Sequence, residues 1–297
     1  MKLLVPDNQH GLTLALAKEI APRHDIELLA VDGLSAALKQ LDGQQIDAIV
    51  IPPLANPEQL SLTAIERHVV LVETLLASCQ RCDMMLVWCV GNQLFEQDNE
   101  HLLAEDDAPA PISAGLQLLV AVEASIREQW PRHIILRVSD PFGSEGEGMW
   151  LPRALSQWIA GGAVSVEDHL FSAPVPVEAI ARAVIGMVMQ LDNGANAWGT
   201  YHFSGQEPVS QYEFAGIALS YLQKAVADQV PALPEESIII RSGKEGTVRR
   251  ILCSQKILMT FGIHQAEWRV PLETSIRQWL KRHSAPPAPD NSERGAQ

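Results

Sequence analysis

Positive charge is scarce in this chain. Its 297 residues carry 22 Lys and Arg against 36 Asp and Glu, a formal net charge of −14. Binding to nucleic acid needs clustered Lys and Arg, and a surface of this sign repels a polyanion, so no nucleic-acid partner is expected. An anionic membrane is disfavoured for the same reason. Long apolar runs are missing as well. The longest stretch without Asp, Glu, Lys or Arg, residues 108–122, is too short to span a bilayer and contains prolines. The apolar opening MKLLV is cut off by Pro6, Asp7, Asn8, Gln9 and His10 before the core of a secretory signal forms, so a cytoplasmic location is expected. Cysteine is sparse: Cys79, Cys82, Cys89 and Cys253 fit that compartment as free thiols. Cys79 and Cys82 have redox or zinc spacing but no companion pair, and the nine histidines include no H-x-x-x-H and no H-E-x-x-H. No G-x-S-x-G elbow and no G-x-x-x-x-G-K-[ST] loop occurs either. No metal is expected.

What is present is apolar residues in alternating periodicities. A hydrophobic content of 47% supplies a sizeable core. Apolar, β-branched runs at 3–5, 26–31, 46–51, 84–90 and 134–138 read as strands, and helical patterns lie between them, for example at 60–79 and 112–129. Such alternation predicts an α/β fold, a doubly wound parallel sheet of Rossmann-like type. From Pro141 the texture changes, with glycines at 143, 146 and 148 and prolines at 152, 174 and 176. We therefore expect a Rossmann-like domain over 1–140 and a smaller substrate-side region over 141–283, interleaved with the end of the sheet. Strands at 200–203 and 238–241 and helices at 210–227, 254–261 and 272–281 are predicted there. The tail 284–297 has no apolar face to bury and reads as disordered.

Four segments in order, RVSDPFG (137–143), SAPVPVEAIARAV (172–184), GTYHFSGQEPVSQYEFA (199–215) and ILCSQKILMTFGIHQAEWRVPLETSIRQWL (251–280), resemble the dTDP-4-dehydrorhamnose reductase group of extended short-chain dehydrogenases. The similarity runs from Met1 to about His283. The resemblance implies a sugar-nucleotide reductase fold, with a glycine-rich turn for NAD(P), a Tyr-x-x-x-Lys pair and a Ser or Thr. Those chemical groups are absent. The chain has three tyrosines, Tyr201, Tyr212 and Tyr221, followed four residues on by Gly205, Gly216 and Ala225. Matching to the family puts Gly115 at the tyrosine position, Leu119 at the lysine position and Val90 or Gly91 at the hydroxyl position, and none of these can move a proton. No catalytic residue is therefore expected.

The cofactor side reads the same way. Asp7, His10 and Thr13 stand where the three glycines would stand, and those glycines let backbone N–H groups reach a pyrophosphate. A carboxylate at Asp7 would face that group with a repulsion of roughly 4 kcal/mol at 4 Å and surface-like dielectric. Ile51, Pro52 and Pro53 replace the next motif, Asn-Ala-Ala, and prolines donate no N–H bond. Asp32 sits where a ribose-binding acid belongs, but VDG also reads as a plain turn. No cofactor is expected. The loop PFGSEGEGMW resembles a phosphate loop, yet Glu145 and Glu147 put negative charge inside it, so it is predicted to be a mobile loop at the mouth of the substrate cleft. The acidic run 96–107 reads as a solvated loop.

A nucleotide-sugar pocket is the part of the family pattern best kept. Phe142, Gly143, Pro174, Arg249 and Arg250 stand where the resemblance implies its lining, and a guanidinium fork matches phosphate oxygens. The reading that follows is a non-catalytic relative acting as a nucleotide-sugar-binding or regulatory subunit, with a protein partner or a second copy as further candidates. The regulatory β subunit of methionine adenosyltransferase is similar to this family and serves as a partner. The alternative is an NAD(P)H-dependent nucleotide-sugar reductase working through replaced residues.

Overall fold

The computed structural model describes residues 1–96, 101–226, 237–240 and 246–283. The alternation resolves into β1 (Lys2–Val5), α1 (Gly11–Ile20), β2 (Glu27–Ala30), α2 (Gly33–Gly43), β3 (Ala48–Ile51), α3 (Leu62–Cys82), β4 (Met85–Gly91), α4 (Ala114–Gln129) and β5 (His133–Val138). There follow β6 (Pro141–Phe142), α5 (Trp150–Ile159), β7 (Val164–Val166), β8 (Leu170–Ser172), β9 (Val175–Pro176), α6 (Val177–Asp192), β10 (Gly199–Phe203) and β11 (Val209–Ser210). The chain continues through α7 (Gln211–Val226), β12 (Ile238–Ile240), β13 (Val248–Arg249), α8 (Gln255–Phe261) and α9 (Arg269–His283).

Among the described residues the main sheet has the order β10-β5-β4-β3-β1-β2, with every pairing parallel. β3, β4 and β5 are buried at every position, as parallel strands covered on both faces must be. One face packs on α1 and α6, through Leu12, Leu16, Ile180 and Val184. The other packs on α3 and α4, through Val72, Leu76, Leu116 and Ile126. This is the doubly wound fold that the periodicities predict. A third core joins α5, α7 and α9 around Trp158, Phe214, Trp268 and Trp279. β10 carries the chain back to β5, so the C-terminal part is woven into the sheet. Ser61 and Ser113 cap α3 and α4 by accepting the N–H of Ala64 and Leu116.

The acidic run is only partly solvated: His101, Leu102 and Asp106 are exposed, but other residues pack, and 97–100 lie outside the described residues. Leu103 is buried and exchanges backbone hydrogen bonds with Ile251 and Cys253, and Glu96 accepts the N–H groups of Ile112 and Ser113. The Glu105 carboxylate accepts the N–H of His202 at 2.9 Å. His202 in turn receives Arg137 Nη1 at Nε2 (3.2 Å) and donates from Nδ1 to the Leu103 carbonyl (2.9 Å), the neutral tautomer. Arg137 closes a two-pronged pair with Glu123 at 2.9 and 2.6 Å, both side chains out of solvent. The C-terminal tail lies outside the described residues.

Two outcomes follow. Arg137→Ala leaves the buried Glu123 carboxylate with only the partly exposed Arg127 as a partner, and urea unfolding is expected to show a loss of about 3 kcal/mol, whereas the double change Arg137→Met with Glu123→Leu loses much less. His202 is held down to about 3, by burial first and by the Arg137 charge second, against 6.5 for the free ring. Between those values the unfolded chain binds the extra proton, so stability is full above pH 6.5 and falls on acidification towards 3, by at most about 1.4 kcal/mol per pH unit for this group. His202→Asn is expected to flatten that part of the unfolding profile.

Candidate functional site

The turn from β1 into α1 satisfies its own donors. Asp7 does not project towards a ligand: Oδ1 accepts the N–H of Gln9 at 3.1 Å and of His10 at 2.9 Å. His10 caps α1 by accepting the Leu12 N–H at Nδ1, and Thr13 Oγ1 donates to the Asp7 carbonyl at 2.6 Å. These are the backbone positions that point at phosphate in a glycine-rich turn. Burial holds His10 below the usual imidazole range, opposed by the Asp7 charge and by a hydrogen bond to the Pro53 backbone. Asp32 is exposed at the start of α2, where Gly33 donates its N–H to the Pro6 carbonyl, but its side chain caps nothing.

The loop 143–149 corrects a second expectation. It does not stand free but lies across the N-terminus of α1, with Gly148 and Met149 lining the cleft beside it. Glu147 donates its N–H to the Gln9 carbonyl at 3.0 Å, and Glu145 pairs with Lys18 and with Arg282. Gly146 has φ +107°, and a Cβ there would fall 2.3 Å from the Gly11 nitrogen. Only glycine fits a contact this close in that conformation. Ser144 and Met149 are buried beneath it.

Beside this closed turn runs an open cleft. Its apolar half is lined by Pro53, Phe142, Trp150, Pro174 and Phe214, with His10 at one end. Its polar half is lined by Glu58, Arg153, Gln157, Glu167 and Arg250. Gln93, Asp140, Ser172 and Gln211 border both halves. Asp140 has φ +25°, a left-handed value that costs a non-glycine residue strain. Its carboxylate accepts the Ser172 hydroxyl and, at 3.3 Å, the Gln93 amide. A Cβ at Gly91 would start 1.8 Å from Gln93 Oε1, so the amide of Gln93 fills the space of a side chain at the expected hydroxyl position. That Oε1 is buried and has no hydrogen-bond partner in the protein.

Phe142 and Pro174 therefore line the cleft as the sequence implies, while Gly143 packs its backbone against Val177. Arg250 reaches the polar half but is tied to Glu58, and Arg249 lies in β13. Gln93, Asp140, Ser172, Trp150 and Gln211 were not singled out from the sequence. The only signal was that Asp140 immediately precedes the Pro-Phe-Gly run. Gly115 faces α3, where an added Cβ would lie 2.3 Å from Ile65 Cδ1, and Leu119 is buried. No tyrosine or lysine lines either half among the described residues. Tyr201 is buried and donates to the Ala197 carbonyl. The cleft can thus bind hydroxyl-rich and aromatic groups, but it offers no tyrosine–lysine proton donor.

A family model described as RmlD substrate binding domain matches residues 55–281, and the chain belongs to that family. In fold it is similar to a dTDP-4-dehydrorhamnose reductase from Clostridium acetobutylicum, at TM-score 0.73 and 15% identity over 96% of this chain and 100% of that one. A dTDP-4-dehydrorhamnose reductase from Bacillus anthracis, solved in complex with NADP, gives TM-score 0.73 and 17% identity over 95% and 99% of the two chains. A dTDP-glucose 4,6-dehydratase from Bacillus anthracis, in complex with NAD, gives 0.74 and 12% over 95% and 97%. No curated protein matches in sequence. These structural neighbours share the fold with this chain. No helix among the described residues is long and apolar enough to cross a membrane, and no group of metal-ligating side chains occurs among them.

Restoring the expected pair is a direct test of this site. Gly115→Tyr pushes a ring into Ile65, and Leu119→Lys buries a charge without a partner. The double variant is expected to lose about 3 kcal/mol or more and to oxidise no NADPH in the presence of dTDP-4-dehydrorhamnose. Thermal unfolding and absorbance at the nicotinamide band read the two outcomes.

Proposed function

We propose that this protein binds a nucleotide sugar in the cleft between the sheet and the α5–α7 layer, without a dinucleotide and without turnover, and serves as a binding or regulatory subunit. One observation carries the proposal: the Asp7 carboxylate and the loop 143–149 occupy the N-terminus of α1, while the adjacent cleft stays open. The residues of that turn do not fit NAD(P). A pyrophosphate there would have to displace the carboxylate from two N–H groups and lift a loop fastened by Lys18 and Arg282. The cleft suits the other half of a sugar nucleotide's chemistry. Trp150, Phe142 and Phe214 offer ring faces, and Gln93, Asp140, Ser172 and Gln211 offer donors and acceptors for hydroxyls. An unpartnered buried acceptor such as Gln93 Oε1 gains a hydrogen bond when a sugar hydroxyl reaches it.

The reductase alternative needs a proton donor in the cleft, and no tyrosine–lysine pair lines either half among the described residues. Calorimetry is expected to show no binding of NADH or NADPH, and dTDP or UDP sugars are expected to raise the melting temperature. A dinucleotide affinity in the low micromolar range, roughly −7 to −8 kcal/mol, would sink the proposal. Trp150→Ala is expected to weaken the sugar nucleotide about tenfold by removing a ring face.

A further inference from the structure

We infer that Arg250 is an anion subsite of the cleft held shut by the chain's own Glu58, and that a ligand's diphosphate enters by taking the place of that carboxylate. The inference rests on the reading of the cleft as a nucleotide-sugar site and adds how the charged part of such a ligand gains access. Arg250 is buried and fixed from three directions. Its Nε donates to the Phe95 carbonyl at 2.9 Å, its backbone N–H to Phe171 at 2.8 Å, and its carbonyl accepts the amide of the fully buried Asn92 at 3.0 Å. The guanidinium therefore cannot follow a partner that leaves. Its free end points into the polar half of the cleft and meets Glu58 Oε1 at 2.6 Å.

Glu58 is placed differently. It lies on the short turn Pro57–Gln59, its side chain is 34% exposed, and the carboxylate can rotate to water at little desolvation cost. A guanidinium that loses this partner while 8% exposed is left under-solvated, so an anion must replace the carboxylate as it departs. A diphosphate does so with the same fork geometry and more charge. The remaining charges set the balance. Asp140 and Glu167 also line this half, against Arg153 and Arg250, so an anion arriving while Glu58 remains meets three carboxylates and two guanidinium groups. Departure of Glu58 makes the two signs equal. Glu167 is held by its contact with His169 and does not touch Arg250.

The test uses the full chain and inorganic pyrophosphate, with UDP as a second probe. Glu58→Gln keeps the size of the side chain and removes its charge, and calorimetry is expected to show pyrophosphate binding tightened at least fivefold. Glu167→Gln makes the same charge change away from Arg250 and is expected to give under a twofold gain. The double variant Glu58→Gln with Arg250→Lys is expected to lose the gain, and Glu58→Ala, on an exposed turn, repeats the test if that double variant folds poorly. Equal affinity for the wild type and Glu58→Gln overturns the inference, as does an equal gain from Glu167→Gln. Should sugar nucleotides fail to bind while Glu58→Gln still captures pyrophosphate, the subsite stands and the nucleotide-sugar reading falls. Should sugar nucleotides bind wild type and Glu58→Gln alike, that reading stands and the subsite falls.

Discussion

The buried pair between Arg137 of β5 and Glu123 of α4 fixes more of this molecule than any other polar contact. Two opposite charges with almost no solvent access tolerate one relative position of strand and helix, because any slip leaves a charge desolvated and unpaired. The same guanidinium reaches His202 on β10, which holds the carbonyl of Leu103, and Leu103 pairs with the backbone on either side of Leu252. Arg250 stands two residues before that bridge. A series of hydrogen bonds thus runs from β5, next to the edge strand β10, to the segment that follows Arg250. The rigidity of Arg250 originates in the sheet core, which is why an exposed glutamate on a short turn is the movable member of their pair.

Two positions suited to a ligand's anionic groups are met here by the chain's own carboxylates, and they differ in kind. Asp7 is two and three residues from the N–H groups it accepts, so its geometry is that of a local turn, at minimal loop entropy. The loop 143–149 lies across the neighbouring backbone at Gln9 and Gly11, while Asp7 itself is exposed. Opening this turn would require breaking the Asp7 contacts, the Glu147 to Gln9 hydrogen bond and the Glu145 ion pairs together. Glu58 is far from Arg250 in sequence, partly in water and covered by nothing in the cleft. A carboxylate held by backbone N–H groups two and three residues away is part of the turn itself; one that meets a distant side chain from an exposed turn can compete with a ligand.

Much of this was legible in the sequence, and the reason is periodicity and chemistry at single positions. The parallel sheet followed from apolar runs separated by helical spacing, since strands buried on both faces cannot alternate. The absence of a Tyr-x-x-x-Lys pair is a property of the sequence itself, read from its three tyrosines. The lining by Phe142 and Pro174 followed from the motifs that carry the family resemblance. What was not legible depends on how distant segments meet. The run 96–107 is acidic and reads as solvated, yet Leu103 within it completes a core, because one buried leucine among charges has no period to reveal it. The loop 143–149 reads as free because its partners, the Gln9 carbonyl, Lys18 and Arg282, lie far away in sequence, and glycine carries no signal of what it touches.

The cleft's polar residues escaped sequence reasoning because their role is taken over rather than inherited. At Gly91 the side chain expected for chemistry is missing, and the gap it leaves is filled by the amide of a residue two positions on. An amide cannot pass a proton to a carbonyl, but it presents an acceptor and a donor at the same place, one of them anchored on Asp140. Such a replacement puts a group that hydrogen-bonds a hydroxyl where the family resemblance implies one that moves a proton. The strain stored at Asp140 points the same way, since a left-handed non-glycine residue persists only where its neighbours over-determine it, and here they are Ser172, Gln93 and the Val175 N–H. The polar centre of the cleft is thus held in place by its own hydrogen bonds, which fixes the donors and acceptors it presents.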